Sequence, residues 1–395
     1  MPDALAAALR GERGIRPYAS TWTDVPHLRD RVGGTVVGFR SDVEPEAASR
    51  QEPGVLFALA AAREALAQAG LPGDVDPDRF GCVVGAGLAG AELWHRALHT
   101  AYAEQHPDEI ARMTAISITG TAVTGLLALR HQLRGPSFGV ANACASGTSA
   151  IRLGADQVRM GRADAMHVGG CESSMRGLMS YACFQNAGMH VTQDAVGACA
   201  PFSRGRRGFV LAEGAGMLVL ERLDRARARG AQILAVLAGG AVVNEAFHAI
   251  RPDASGESWA RAIRLALADA DVPADAISAV NAHATATPQG DAAETRALRS
   301  VLGARAHQVP VSGTKSMTGH TFGAAGAIET ALSVAAMNAG FVLPTIDFDG
   351  GDADCDLDYV PHVARPHAVD VLLKNGFGAG GVATSLVLRR DPLAA

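Results

Sequence analysis

Residues 137–151 read SFGVANACASGTSAI, a short apolar run that leads through a turn into a segment of small residues. The apolar and partly β-branched residues 137–141 predict a buried strand, and the small residues from Thr148 to about Gly161 predict a helix. Cys144 lies at the junction, beside the N–H groups that the first turn of a helix leaves unpaired. Because those dipoles stabilise a thiolate, we expect a lowered pKa for this thiol. For a lone cysteine the more usual interpretation is a small, buried core residue.

The composition is that of a folded, globular protein. The chain has 395 residues, of which 48% are hydrophobic and 19% are charged, and its formal charge is −5. This length is enough for one large domain or two domains of ordinary size. Since the chain carries no overall basic charge, we expect no general binding to nucleic acid.

The cysteines and the N-terminal sequence predict a protein of the cytoplasm. The six cysteines, at positions 82, 144, 171, 183, 199 and 355, contain no CxxC pair and no metal-ligand spacing, so we expect reduced thiols and no metal site. The first residues, MPDALAAALRGERG, lack the apolar core of a signal peptide. No stretch approaches the roughly 20 apolar residues of a membrane span, so we expect no association with a membrane.

Predicted strands and helices alternate along the chain, which indicates an α/β protein. In the first part we predict strands at 80–85, 137–141 and 165–170, helices at 55–69, 119–132, 148–161 and 222–229, and a strand pair, 209–211 with 216–220, around a turn at 212–215. In the second part we predict strands at 233–237, 277–282, 309–312, 369–373 and 383–388, and helices at 258–270, 291–302 and 323–338. These two series predict two similar halves, residues 1–230 and 231–395.

A local sequence echo relates the two halves. Val-Ala-Asn142-Ala-Cys144 in the first half resembles Val-Asn281-Ala-His283 in the second, and each runs from a strand through Asn-Ala to a reactive side chain. Two similar halves that face each other would bring Cys144 and His283 together.

His283 is followed by two threonines. Thr285 and Thr287 come directly after the predicted strand end, and their hydroxyls can bond to the amides of a ligand. A histidine at this place can direct its imidazole into a cleft. Considered alone, His283 would more often be a partly buried histidine with satisfied nitrogens.

Lys315 and His320 share a glycine-rich loop, VSGTKSMTGH, which precedes a helix that carries Glu329. Because a buried lysine is costly, we expect Glu329 to pair with Lys315. The loop lacks the GxxxxGK[ST] spacing of a phosphate-binding loop. Further along, NGFGAGG at 375–381 could present backbone N–H groups to an oxyanion, or could be a wide turn between strands.

The cysteine, the two histidines, the lysine and the glycine loop, each at a predicted strand end, together resemble the β-ketoacyl synthases, condensing enzymes of the thiolase-like superfamily. The resemblance covers about residues 5–390. It is carried by ANACASGTSA around Cys144, the run from Pro201 to Glu221, AHATATPQGDAAE around His283, TKSMTGHTFGAAGAIE around Lys315, and NGFGAGG from Asn375. It implies a thiolase-like α/β fold in which two similar βαβαβ halves form a five-layer αβαβα architecture.

The resemblance implies a decarboxylative Claisen condensation in fatty-acid or type II polyketide biosynthesis. Cys144 would take an acyl group from an acyl carrier protein as a thioester, and His283 and His320 would promote decarboxylation of malonyl-carrier protein. Lys315, paired with Glu329, would hold the histidine region in shape. The set of one cysteine and two histidines indicates an elongating enzyme, since the priming type has Asn in place of His283 and chain-length factors lack the cysteine.

The remaining roles are also implied by the resemblance. The backbone N–H groups of Cys144 and Phe377 would form the oxyanion hole, and the Phe377 ring would be the gate beside the nucleophile. Thr285 and Thr287 would bind the phosphopantetheine arm, which arrives on the carrier protein, so that no cofactor or metal is bound. The partners would be an acyl carrier protein and a second subunit, either in a homodimer or in a heterodimer with a related chain.

The sequence departs from the family in four places. The family opens with a strand, internal to the first sheet, about twenty residues before the first residue here, so either the start is misassigned or another segment fills the gap. HGTGT-like and FGFGG motifs have Ala284, Ala286 and Ala379 here, which adds methyl groups beside the pantetheine path and removes an aromatic ring.

The fourth departure is a basic run. Arg204, Arg206 and Arg207 replace an acidic-basic run and predict a docking patch for an acidic carrier protein, with a solvated loop as the less favoured alternative.

Two other functions remain open from the sequence. One is acyl transfer to an amine or alcohol with the histidines as general bases. The other is a weakly active partner subunit of a heterodimeric ketosynthase.

Overall fold

The computed structural model describes residues 1–18, 31–71, 75–191 and 197–391. The helices are α1 (Pro2–Leu9), α2 (Pro45–Ser49), α3 (Pro53–Ala69), α4 (Ala91–Leu98), α5 (Thr114–Ser117), α6 (Thr121–His131), α7 (Ser146–Arg159), α8 (Leu178–Asn186), α9 (Leu223–Ala228), α10 (Glu257–Ala270), α11 (Pro288–Leu302), α12 (Lys315–Thr318) and α13 (Ala325–Ala339). The strands are β1 (Ile15–Tyr18), β2 (Arg31–Gly34), β3 (Phe80–Gly85), β4 (Ser137–Val140), β5 (Ala165–Glu172), β6 (Gly214–Glu221), β7 (Val236–Asn244), β8 (Ala279–Asn281), β9 (Val311–Ser312), β10 (Phe341–Val342), β11 (Arg365–Pro366), β12 (Val371–Gly378) and β13 (Val382–Arg389).

The first half contains a mixed sheet in the order β4-β3-β5-β6. β3 runs parallel to β4 and β5, and β6 runs antiparallel to β5. β3 is buried at every position, as its unbroken apolar sequence predicts for a central parallel strand. β4 forms as predicted, but the expected burial is wrong: it is the edge strand, and three of its four residues are exposed.

The second half repeats this topology and adds one strand. Its sheet has the order β7-β13-β12-β8-β9, in which β8 is parallel to β9 and β12, while β13 is antiparallel to both of its neighbours. Thus β4, β3, β5 and β6 correspond to β9, β8, β12 and β13. Cys144 therefore follows the counterpart of β9, whereas His283 follows β8, so the Asn-Ala echo does not mark equivalent positions in the two halves.

The two sheets stack into five layers. α3 and α6 cover the outer face of the first sheet, and α10 and α11 cover the outer face of the second. α7 and α13 lie between the sheets in a shared apolar cluster with both. The predicted five-layer αβαβα architecture is thereby confirmed. The division at residue 230 stays a prediction.

The outer edge of β6 faces an open, apolar cavity. Within the described ranges no strand lies on that edge, whereas β7 takes the corresponding place beside β13. The cavity has a volume of about 550 Å³ and is lined by β6, α3, α7 and α13, with Met1 among its lining residues. β7 is an edge strand of the second sheet. By this correspondence, a strand beside β6 would be an edge strand of the first sheet, whereas we expected the strand that opens the family's sequences to be internal.

Three further sequence predictions are wrong in detail. Residues 209–211 do not pair with β6; they form bridges to His190 and His320, and β6 uses its inner edge for β5. The strand predicted at 233–237 begins at Val236 and runs to Asn244. The glycine-rich segment 375–381 is mostly strand, because β12 continues to Gly378 in register with β13.

Candidate active site

Cys144 lies in a 3₁₀ turn, Ala143–Ala145, directly before α7. The backbone N–H groups of Ala379 and of Cys144 itself act on its thiol in the direction that lowers the pKa. Burial nevertheless raises the pKa of the thiol to about 12, against the lowering effects of the Lys315 charge and the two N–H groups. The expectation of a lowered pKa is therefore wrong, since desolvation of a fully buried thiolate outweighs the dipoles of one helix start.

β12 brings the Ala379 N–H to the sulfur. The ladder between β12 and β13 holds residues up to Gly378, opposite Val382, so Ala379 is the first residue beyond the paired strand. Gly378 passes so close to the turn before Cys144 that a Cβ there would lie 2.6 Å from the Asn142 carbonyl oxygen. A glycine is required for this approach, which the sequence pattern alone had not explained.

The backbone group that acts on the Cys144 thiol is that of Ala379, and not that of Phe377 as we expected. Phe377 lies within the ladder, opposite Ala383, and its ring stacks on Trp259 with centroids 4.1 Å apart. The N–H group at the Cys144 sulfur belongs to Ala379, two residues further on. Because the Phe377 ring is buried in the core of the second half, it does not stand free as a gate.

His283 and His320 face each other in the interior. His283 follows β8 and His320 follows α12, and their ring centroids lie 5.6 Å apart at an interplanar angle of 82°. His320 also contacts Phe209 and Phe322. These two phenylalanines share one apolar cluster with Cys144. The structure thus brings the cysteine and both histidines to one site.

Burial and nearby positive charges favour the neutral form of both imidazoles. Burial lowers the pKa of each well below its usual value, and the positive charges of Lys315 and Lys374 lower it further. Both ring nitrogens of His320 are buried, and neither has a hydrogen-bond partner in the described part of the chain. A neutral imidazole has one N–H to donate and one nitrogen to accept, and in His320 both are unused.

One carboxylate joins two buried lysines beside the histidines. Lys315 Nζ donates to Glu329 Oε1 at 2.6 Å and to the His283 carbonyl oxygen at 2.5 Å. The ion pair expected between Lys315 and Glu329 therefore forms. Lys374 Nζ donates to Glu329 Oε2 at 2.7 Å and to the Asn375 carbonyl oxygen at 2.5 Å.

Lys374 was not among the candidate residues, although the sequence contains a signal for it. Lys374 and Lys315 are the only lysines among the 35 basic residues of the chain, and both are buried. Because every other basic residue is an arginine, the two lysines indicate positions where the lysine side chain has a particular role.

A second buried carboxylate fixes the His283 backbone. Glu294 accepts hydrogen bonds from the N–H groups of His283 and Ala284, each at 2.8 Å, and from the Asn375 side-chain amide at 3.1 Å. The N–H and the carbonyl of His283 are thus both held by the site, since Lys315 binds the carbonyl. This leaves the imidazole as the free part of the residue.

The hydroxyls of Thr285 and Thr287 lie 3.0 Å apart at the start of α11. Ala284 and Ala286, which directly precede the two threonines, have φ values of 44° and 62° in the left-handed region that favours glycine. Both are almost completely buried, so their methyl groups pack into the core and do not line an open path, contrary to our expectation.

The predicted basic patch loses one member. Arg206 is buried and donates to Asp352 at 2.7 Å and to the Ser203 carbonyl oxygen at 2.9 Å, so it is not available to a partner. Arg204 and Arg207 are exposed. The sequence could not show this, because the ion pair to Asp352 spans more than 140 positions of the chain.

No group of three or more His, Cys, Asp or Glu side chains in the described residues is arranged to hold a metal ion. Among the described helices, none combines the length and apolarity needed to cross a membrane.

Comparisons with known proteins give a consistent result. The family described as "Beta-ketoacyl synthase, N-terminal domain" matches residues 17–226, and the one described as "Beta-ketoacyl synthase, C-terminal domain" matches residues 234–349. The chain is 35% identical to 3-oxoacyl-[acyl-carrier-protein] synthase 2 of Synechocystis sp., over 99% of this chain and 94% of that protein.

Solved structures agree with these matches. A type II polyketide ketosynthase in complex with its acyl carrier protein superposes with a TM-score of 0.91 at 31% identity, over 98% of this chain and 94% of that one. The ishigamide ketosynthase/chain length factor superposes with a TM-score of 0.88 at 30% identity, over 99% and 95% of the two chains.

Proposed function

Because this chain belongs to the β-ketoacyl synthase family, we propose that it is an elongating 3-oxoacyl-[acyl-carrier-protein] synthase of fatty-acid or polyketide biosynthesis. It joins an acyl group held on Cys144 to a malonyl group held on an acyl carrier protein, with loss of CO₂. One observation carries this proposal: the fully buried His320 lies beside His283, and neither of its ring nitrogens has a partner in the described chain. A buried imidazole without partners is costly, and a bound substrate removes that cost.

The first half-reaction loads Cys144. Its sulfur attacks the thioester carbonyl of the acyl-carrier protein, the C–S bond to the carrier breaks, and the proton of the Cys144 thiol passes to the departing carrier thiol. The negative charge that develops on the carbonyl oxygen accepts hydrogen bonds from the N–H groups of Cys144 and Ala379, the two that lie at the sulfur. The phosphopantetheine arm is part of the carrier substrate.

The second half-reaction makes the carbon–carbon bond. The malonyl-carrier protein loses CO₂, and the enolate oxygen accepts hydrogen bonds from the neutral imidazoles of His283 and His320. This stabilisation acts on a charge that exists only in the transition state and the enolate, so it accelerates the step. The enolate carbon attacks the Cys144 thioester, and the products are 3-oxoacyl-carrier protein and Cys144, whose sulfur takes up one proton.

Lys315 and Glu329 act as positioning residues in this scheme. Lys315 binds the His283 carbonyl, so the imidazole is held in place from behind. Thr285 and Thr287 bind amides of the phosphopantetheine arm with their paired hydroxyls. Arg204 and Arg207 are exposed and attract the acidic surface of the carrier protein.

The second subunit binds at β4. The outer edge of β4 is unpaired in the described chain, and Phe138 on this strand is 45% exposed. Leu129, on the neighbouring α6, is 72% exposed. An edge strand with exposed apolar side chains favours pairing with another chain. We assign this edge to a second copy of the protein or a related ketosynthase-like chain, and we place the complex in the cytoplasm.

The test is a reaction with acyl-carrier protein and malonyl-carrier protein, with products detected by mass spectrometry. We expect 3-oxoacyl-carrier protein from the wild type and none from Cys144→Ala. Cys183→Ala, which removes an exposed thiol, is the matched control and should retain full activity. Absence of a 3-oxoacyl product with acyl groups of every length tried contradicts the proposal.

The same reaction with an amine or alcohol acceptor in place of the malonyl donor separates condensation from simple acyl transfer. An acylated amine or alcohol acceptor, formed at a rate similar to that of Cys144 acylation, would indicate an acyltransferase. A wild-type Cys144 that accepts no acyl group would indicate a catalytically weak partner subunit.

A further inference from the structure

Lys374 is held by contacts that join the two arms of the site. One arm is the segment of His283, and the other is β12, which leads to Ala379. Glu329 binds Lys315 with one oxygen and Lys374 with the other, and the two lysines in turn bind the carbonyl oxygens of His283 and Asn375. A single carboxylate therefore ties the histidine arm to the strand that carries the Ala379 N–H.

The cost of this arrangement is high. Lys374 has no exposed surface, and burial lowers its pKa. A cation in such a place destabilises the fold unless it is paired, and replacing it by a well-packed apolar residue often costs nothing. We therefore expect the positive charge of Lys374 to have a function that an apolar side chain at this position of β12 could not have.

The charges around the histidines indicate that purpose. The titratable side chains near His283 and His320 are Cys144 before α7, Glu172 on β5, Glu294 on α11, Lys315 on α12, Glu329 on α13 and Lys374 on β12. Of these, the two lysines act on both imidazoles, and each favours the neutral form. Because Glu329 neutralises only one of the two lysine charges, one positive charge remains in the Lys315–Glu329–Lys374 group.

We propose that Lys374 is a positioning residue: it holds the Ala379 strand through Glu329, and its charge adds to burial in favouring the neutral forms of His283 and His320. This inference rests on the proposed function, in which His283 and His320 donate hydrogen bonds to the enolate as neutral imidazoles. Lys374 itself does not touch the reacting atoms.

The first variant is Lys374→Met, which keeps the length of the side chain and removes the charge. With one positive charge fewer, the imidazoles protonate at higher pH, so the acidic limb of the kcat/KM profile moves upward by about half a pH unit or more. The deficit in kcat relative to wild type should therefore grow as the pH falls along this limb, with KM for malonyl-carrier protein changed less than twofold. A deficit that is the same at every pH would show a merely structural role.

Two companion variants separate charge from packing. Lys374→Met combined with Glu329→Gln returns the net charge of the group to its wild-type value, so the acidic limb should return toward that of the wild type even if turnover is low. Lys374→Arg keeps the charge, so the acidic limb of its kcat/KM profile should lie at the same pH as that of the wild type. Arg229→Met, which removes a half-buried cation paired with Glu221, is the control for a remote charge and should leave the limb unchanged.

A substrate-free measurement makes the test independent of the proposed function. In protein labelled with ¹³C in the histidine rings, the resonances of His283 and His320, assigned by single substitutions, should not titrate between pH 6 and 8 in the wild type. In Lys374→Met the titration midpoint of at least one should lie at a higher pH than in the wild type when both proteins are titrated down to pH 4. If neither midpoint moves in a variant whose melting temperature shows that it is folded, the inference is overturned; if wild type forms no product but this shift occurs, only the proposed function fails.

Discussion

Lys315 and Lys374 each take one oxygen of the Glu329 carboxylate, at 2.6 and 2.7 Å. They lie 59 positions apart in the sequence, on α12 and β12, and they are the only lysines of the chain. Each of the two lysines reaches back to a backbone carbonyl of its own arm of the site. Their burial follows from this bridge, because neither ammonium group would tolerate the interior without the shared carboxylate.

Amine-reactive reagents test this burial directly. We expect acetylation of the native protein to modify only the α-amino group, because the Lys315 and Lys374 side chains are 1% and 0% exposed. In guanidinium chloride two further acetyl groups should appear in the intact mass. Arg134→Lys, which places an amine on an exposed side chain, should add one acetyl group in the native state and shows that the reagent works. Modification of Lys315 or Lys374 in the folded protein would contradict the structure.

The pH dependence of alkylation reports the protonation of Cys144. Its pKa is raised to about 12 by burial, so the thiolate fraction, and with it the rate of reaction with iodoacetamide, should rise about tenfold per pH unit between pH 7 and pH 10. The measurement is made in Cys183→Ser protein to remove the exposed thiol. A rate that levels off near pH 8 would instead indicate a thiol activated in the resting enzyme.

Gly326 sets the distance between the two central helices. A Cβ at this position would lie 1.9 Å from Thr148 Oγ1 and 2.6 Å from the Thr148 nitrogen, so Gly326→Ala must push α13 away from α7. We expect a loss of about 2 kcal/mol in the free energy of unfolding and a larger relative loss of turnover, since α7 follows Cys144 and α13 carries Glu329.

Gly125→Ala is the control for this substitution. Gly125 lies inside α6 with open space around the added methyl group. Its replacement should raise the free energy of unfolding by up to about 1 kcal/mol, because alanine is the better helix former. Similar melting temperatures for the two variants would contradict the close helix contact.

Local sequence patterns predicted those helices and strands well that a single apolar run or a helix-ending residue defines. β3 matches its predicted bounds because an uninterrupted apolar run between polar segments has one interpretation in an α/β protein. α3 ends at Gly70, which has the left-handed conformation that a helix-ending glycine usually adopts. Burial of β4 was not predictable, because strand order, rather than sequence, makes it an edge.

Within the site, strand ends predicted the cysteine and both histidines but not their surroundings. Phe377 and Ala379 are two positions apart, and only the end of the β12–β13 ladder decides which N–H is free. Arg206 and Lys374 depend on partners 146 and 45 positions away, Asp352 and Glu329, which no local pattern shows. The sequence therefore does not predict which buried charged side chains pair with each other over long distances in the chain.

Phe138 tests the proposed subunit contact at β4. Phe138→Asp places a charge on the exposed edge strand, so pairing with a second chain would bury that charge, and we expect the dissociation constant of the dimer to rise at least tenfold. Light scattering during size-exclusion chromatography measures the change. Val363→Asp, a substitution at another exposed apolar side chain, should leave the dimer intact. A Phe138→Asp dimer as tight as wild type would move the interface elsewhere.

The apolar cavity beside β6 predicts a substitution that stabilises the protein. Ala335 on α13 lines this cavity of about 550 Å³, whereas the next residue, Ala336, is packed in a core cluster with Leu332 and Leu343. In Ala335→Leu the added carbons enter free space and cover apolar surface, so we expect the free energy of unfolding to rise by about 1 kcal/mol. In Ala336→Leu the same carbons meet a filled core, and we expect a loss of about 1–3 kcal/mol. The two variants differ only in which side of α13 receives the larger side chain, so urea unfolding of both separates open space from packed core. If Ala335→Leu is as destabilising as Ala336→Leu, the edge of β6 is covered in the folded protein.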